Sequence, residues 1–130
     1  MTVANSQTAL AVDDELLRQV TERTLASEEV CQAEISIAVI DNDEIHDLNR
    51  RFLEHDYATD VLSFLLDCEG GQPHDAGTSV PLGRGKTISG EVIVSAEMAV
   101  DRAEQFGWPA EHELLRYLVH GLLHLCGYDD

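Results

Sequence analysis

Residues 110–130 read Ala-Glu-His-Glu-Leu-Leu-Arg-Tyr-Leu-Val-His120-Gly121-Leu122-Leu123-His124-Leu125-Cys126-Gly127-Tyr128-Asp129-Asp130. Pro109 suits a first helical turn, and a helix is predicted over Ala110–Cys126 with Gly127 as its C′ residue. Histidines four apart share one helix face, with β-carbons about 5–6 Å apart. His120 and His124 can therefore aim ring nitrogens at one cation about 2.0–2.1 Å away without straining the backbone. Gly127 tolerates a positive φ and lets the chain fold back, which can bring Asp130 to the same cation as an oxygen ligand. Three protein ligands leave a fourth zinc position for water, the arrangement of a catalytic site. Nickel, cobalt and manganese also accept this donor set. Cys126 projects away from the histidine face and reads as a packing residue.

Working outward from this segment, Ser95 starts a helix that turns Ala99, Ala103 and Phe106 inward and closes at Gly107. Ile88–Ser95 alternates and reads as a strand, as does the apolar run from Val61 to Leu66. Between them, residues 67–86 hold five of the nine glycines and two of the three prolines, and are expected to form a long loop or hairpin connection. Asp41-Asn42-Asp43 caps a helix with a buried stripe of Ile45, Leu48 and Phe52, and Glu34–Ile40 precedes it as a half-buried strand. Asp13 caps a helix carrying Leu16, Leu17, Val20 and Thr24 on one side, after a loose start over residues 1–12. The order α-β-α-β-β-α-α predicts an α+β fold: a small mixed sheet packed against several helices, with the metal helix near the C-terminus and residues 1–130 in one domain.

A chain of 130 residues that is 44% hydrophobic and 25% charged has the composition of a folded, soluble protein. Its longest apolar runs fall far short of the ~20 residues that cross a bilayer, and Met1–Val12 shows neither the basic start nor the apolar centre of a secretory leader. Three cysteines without a spacing pattern (Cys31, Cys68, Cys126) suggest reduced thiols and a cytoplasmic setting. The formal charge of −17 repels phosphate at long range, against broad affinity for nucleic acid or anionic membranes. A local phosphate site beside a bound dication remains compatible with that field. Gly83-Arg84-Gly85-Lys86 lacks the context of a phosphate loop and reads as solvated, and His46, His55, His74 and His112 lack ligand spacing and read as surface residues.

The histidine spacing is that of the elongated zincin motif H-E-x-x-H-x-x-G-x-x-H, with two differences. Gly121 stands where a zinc peptidase has its glutamate base, and Asp130 stands at the third histidine; the first change counts against a protease. The whole segment resembles the signature H-G-x-L-H-L-x-G-Y-D-H of the YbeY family of metal-dependent endoribonucleases. Leu48-Asn49 through Phe52, then Thr59-Asp60-Val61-Leu62-Ser63-Phe64, is similar to that family's second block, and Gly90-Glu91-Val92-Ile93-Val94-Ser95 to its third.

The resemblance implies a single-strand-specific endoribonuclease acting in ribosomal RNA maturation and ribosome quality control. It implies His120, His124 and Asp130 as ligands of one divalent ion, zinc first among the candidates. The ion would polarise a scissile phosphate and activate its bound water, with no protein side chain assigned as base. Asp60 and Ser63 are candidates for the substrate groove, although Asp60 reads equally well as a residue bonding a neighbouring backbone amide. Leu53 stands where many relatives carry arginine, and Arg50 or Arg51 is a candidate replacement cation. Small-subunit ribosomal proteins and a ribosome-associated GTPase are the implied partners. A zincin-like peptidase and a non-enzymatic ribosome-assembly factor with a structural metal are the rival readings.

Overall fold

The structure is a computed structural model that describes residues 1–71 and 81–128. In chain order the elements are β1 (Thr2–Asn5), α1 (Asp14–Ser27), β2 (Gln32–Ile40), α2 (Asn42–Leu53), β3 (Val61–Gly70), β4 (Lys86–Ser95), α3 (Ala96–Phe106) and α4 (Ala110–Cys126). The four strands form one mixed sheet in the order β1-β2-β4-β3. β1 and β4 run parallel to β2, and β3 runs antiparallel to β4. This is the expected α+β architecture.

The strand period divides the core in two. Ile35, Ile37 and Val39 of β2 and Ile88, Val92 and Val94 of β4 face Leu17, Ala99, Leu114, Leu118, Leu122 and Leu125 from α1, α3 and α4. A smaller cluster of Ile40, Leu62 and Ile93 receives Ile45 of α2. Three helix starts use the residues expected of them. The side chains of Asp13, Asp41 and Ser95 accept from the backbone N–H groups of Glu15, Glu44 and Met98.

Helix α4 packs against the sheet at two glycines, where a side chain would not fit. A β-carbon at Gly121 would fall 2.6 Å from Val92 Cγ1 and 3.0 Å from Val61 Cγ2. One at Gly90 would fall 2.9 Å from Leu125 Cδ1 and 3.1 Å from the Phe64 carbonyl. Val92 is β-branched and fully buried, so it cannot swing aside.

Some expectations change. Residues 2–5 are not loose: they pair with the otherwise open edge of β2, Thr2 opposite Ser36 and Asn5 opposite Val39. Only Val3 of that strand packs against the core, which is why no apolar alternation announces it. The 67–86 connection is shorter than expected. β3 continues to Gly70 and β4 begins at Lys86, held by ladder bonds through exposed polar residues rather than by burial. A bulge at Leu66 shifts the register between Leu65 and Asp67. Residues 72–80, which include His74, lie outside the described residues. Phe52 and Phe106 point outward, 61% and 58% exposed; Asn49 takes the buried place on α2 and donates its amide N–H to the Tyr57 carbonyl. No described helix is long and apolar enough to cross a membrane.

Cys31 and Cys68 are exposed, whereas Cys126 is buried and burial pushes its thiol up to about 11. Thiolate is the reactive form. A disulfide-exchange reagent at pH 8 is expected to titrate two thiols quickly in the native protein and the third only in denaturant; fast reaction of all three would contradict the packing. Gly121→Ala gains about 1 kcal/mol of helix propensity but meets Val92 and Val61, an overpacking cost of about 1–3 kcal/mol. Urea unfolding is expected to show a net loss of about 1 kcal/mol for this variant.

Candidate active site

His120 and His124 lie exposed on α4, on the wall of a cleft of about 350 Å³ between that helix, β3 and the segment after α2. The strand alternation decides which β3 residues reach it. Val61 and Ser63 face α4, while Leu62 and Phe64 pack toward the α2 side. Ser63 Oγ lies 3.2 Å from His124 Nδ1. In the tautomer that donates from Nδ1, the lone pair sits on Nε2 and is turned outward, the arrangement that suits an imidazole to a metal. The opposite rim carries His55 and Tyr57, whose rings stack at 5.4 Å with an 11° interplanar angle.

Beyond the second histidine, Gly127 adopts φ 118°, its N–H bonds the His124 carbonyl, and the Tyr128 N–H bonds the Leu123 carbonyl. These two bonds form a Schellman turn, the predicted reversal. Lys86 Nζ donates to the Cys126 carbonyl at 2.7 Å, and the Tyr128 hydroxyl donates to Glu28 Oε2 at 3.0 Å. The chain is thus bent and tethered as far as Tyr128. Asp130, the expected third ligand, lies outside the described residues with Asp129. Among the described residues no group of three His, Cys, Asp or Glu side chains converges as a metal cage.

Asp60 bonds its neighbours and also lies on the cleft wall. Its Oδ1 accepts the Val61 N–H at 2.8 Å and the Thr59 hydroxyl at 3.3 Å, fixing the start of β3. Its Oδ2 takes Arg102 Nη1 at 3.1 Å, on the margin of the cleft. Arg50 and Arg51 do not join the site. Their side chains are about 60% exposed and pair with Asp47 on their own helix. The cations beside the histidines are instead Arg102 and Arg116, which line a second cleft of about 410 Å³ on the far side of His120. Asp60 and His120 border both clefts. The signal for Arg116 was present in the spacing, because it lies four residues before His120 and eight before His124 on one helix face. Arg102 had no such mark, since only the packing of α3 on α4 delivers it.

A family profile described as Endoribonuclease YbeY matches residues 2–130. The chain belongs to the endoribonuclease YbeY family. An endoribonuclease YbeY from Salinibacter ruber is 38% identical over 130 residues, all of this chain and 78% of that protein. The Bacillus subtilis member is 38% identical over 99 residues, and the match spans 75% of this chain and 60% of the relative. A solution structure from Thermotoga maritima superposes with a TM-score of 0.57 at 26% identity, covering 99% of this chain and 74% of that one.

If Ser63 holds the His124 tautomer, Ser63→Ala is expected to change the Nδ1/Nε2 protonation ratio of that ring. Multiple-bond ¹⁵N NMR reads this directly; an unchanged His124 pattern would mean that the 3.2 Å contact does not orient the ring.

Proposed function

We propose that this chain is a divalent-metal-dependent endoribonuclease that cuts single-stranded or unpaired ribosomal RNA during rRNA maturation and ribosome quality control. The observation that carries the reading is the pair of imidazoles one helical turn apart in a cleft, with Ser63 against the inner nitrogen of the second. The donor chemistry fits a metal. Two imidazole nitrogens are supplied by His120 and His124, and an oxygen donor is proposed from Asp130 after the Schellman turn. A divalent ion bound there, zinc by preference, supplies Lewis-acid polarisation of a phosphate oxygen and stabilises the charge of phosphodiester cleavage.

The chain's own residues do the positioning. Ser63 keeps the His124 ring turned to the cleft, and Gly121 brings the helix close enough for Ser63 to reach it. Gly121 also places no carboxylate at the position where a zinc peptidase needs its base, which disfavours peptide hydrolysis. His55 and Tyr57 offer a stacked, exposed ring pair to an unpaired base, and a stacking platform selects single strands. We read residues 1–130 as one YbeY-like domain working in the cytoplasm. A charge of −17 complements a basic protein surface, in keeping with small-subunit ribosomal proteins and a ribosome-associated GTPase as partners.

Metal-loaded protein incubated with single-stranded RNA and with casein separates the readings. RNA is expected to be cut and casein left intact, with cleavage abolished by chelator and by His124→Ala. Asp130→Ala is expected to weaken metal retention at least about tenfold. Casein loss would instead support a peptidase, and full metal content without turnover of either substrate would support the assembly factor.

A further inference from the structure

Apart from Asp60 and His120, which border both clefts, the second cleft is built from residues that the histidine site does not use. Glu113 is only 2% exposed, and it accepts Arg116 Nη1 on both carboxylate oxygens, at 3.0 and 3.1 Å. The same carboxylate takes the Trp108 indole N–H at 2.7 Å. Arg116 lies over the Trp108 ring, 5.2 Å from its centroid, and its side chain stays 54% exposed. Across the cleft, Arg102 is held by Asp60 through Nη1 and is 43% exposed. Each guanidinium is anchored to a carboxylate through Nη1 and stays about half exposed on the cleft wall. Guanidinium N–H groups recognise phosphate.

Beside them Phe106 is 58% exposed, with its ring 5.1 Å from that of Trp108. Phe106 lines the cleft and offers an exposed ring to a base beside the arginines, backed by Trp108, whose own ring contacts Phe106, Arg116 and His112. Electrostatics favours the same occupant. Two arginines offset Asp60 and Glu113, so this patch is close to neutral on a chain of charge −17. A phosphate meets less repulsion here than over most of the surface.

We propose that the cleft of Arg102, Arg116 and Phe106 is a nucleotide subsite that holds the residue adjoining the scissile phosphate of single-stranded RNA, its phosphate on the arginines and its base on the Phe106 ring. Because Asp60 and His120 border both clefts, an RNA strand can run from one to the other without leaving the surface. The inference rests on the endoribonuclease reading for its ligand, and it makes the far side of His120 part of the substrate track.

Trp108 is the single tryptophan and lies against Phe106 and Arg116, so its fluorescence reports on the wall of this cleft. The full, metal-loaded chain is titrated with a 2′-O-methyl oligouridylate hexamer while Trp108 emission and the anisotropy of the labelled oligomer are followed. Saturable quenching is expected, with affinity lowered about five- to tenfold in both Arg102→Gln and Phe106→Ala. The arginine variant is also expected to lose about 0.7 from the slope of log affinity against log salt. Phe106 is exposed, so its variant keeps the fold even if loss of the Asp60 ion pair perturbs the other. Oligomer binding by anisotropy with no change at Trp108, and unchanged affinity in Phe106→Ala, would overturn the subsite while leaving an active nuclease in place. Quenching with the expected variant losses, in a preparation that cuts no RNA, would uphold the subsite and remove the nuclease reading instead. Equal quenching by hexaglutamate would overturn the nucleotide assignment in favour of an acidic peptide.

Discussion

The contact that the rest of the molecule depends on is the approach of α4 to the β3–β4 hairpin where two positions carry no side chain. Close packing leaves no slack for even one methyl group in a core. With Gly121 against Val92 and Val61, and Gly90 beneath Leu125, the helix sits against the strands rather than riding over them. That proximity does two things at once. It completes the larger core cluster, and it lets a serine on the edge strand reach the ring of a histidine on the helix. The loss of a glutamate relative to the peptidase pattern is therefore a packing requirement as much as a chemical difference.

The legible parts of the sequence were those in which local chemistry and tertiary packing agree. The caps at Asp13, Asp41 and Ser95, the alternation of β2 and β4, and the glycine ending of α4 each have one local cause, and all appear where their residues predict them. Where packing alone decides, the sequence was silent or misleading. β1 is half exposed and is held by ladder bonds to a neighbour more than thirty residues away, so nothing local marks it. Phe52 and Phe106 fit an apolar stripe by spacing, yet both lie beyond the edge of what the sheet covers. Helical periodicity states which face a residue is on, but not how far the neighbouring layer extends.

The same division runs through the site. The histidine pair was readable because helical geometry determines its spacing; Ser63 was a candidate only through the family block, and it is the strand's two-residue period that sends it to the same side as Val61. Among the cations only Arg116 was readable, since it shares the histidines' helix. Arg50 and Arg51 are close in sequence to the second motif block but turn to Asp47, whereas Arg102 reaches the cleft only through the packing of α3 on α4. Glu113 is what keeps Arg116 there. A carboxylate with so little exposure requires a cation and hydrogen bonds, and it finds them in Arg116 and Trp108. Satisfying the buried acid orients the exposed base.

The tether at the end of α4 has a mechanical consequence. Lys86 opens β4 and also grips the last helical carbonyl, while Leu82 donates its N–H to the Tyr128 hydroxyl and Gly83 packs within 3.2 Å of Cys126 Sγ, measured from its would-be β-carbon. The turn between the strands and the exit from the helix thus behave as a single clasp, closed from both sides. A displacement of that turn would be transmitted to the segment leaving the helix without passing through the hydrophobic interior. Strand pairing and helix exit thus share one anchor, Lys86.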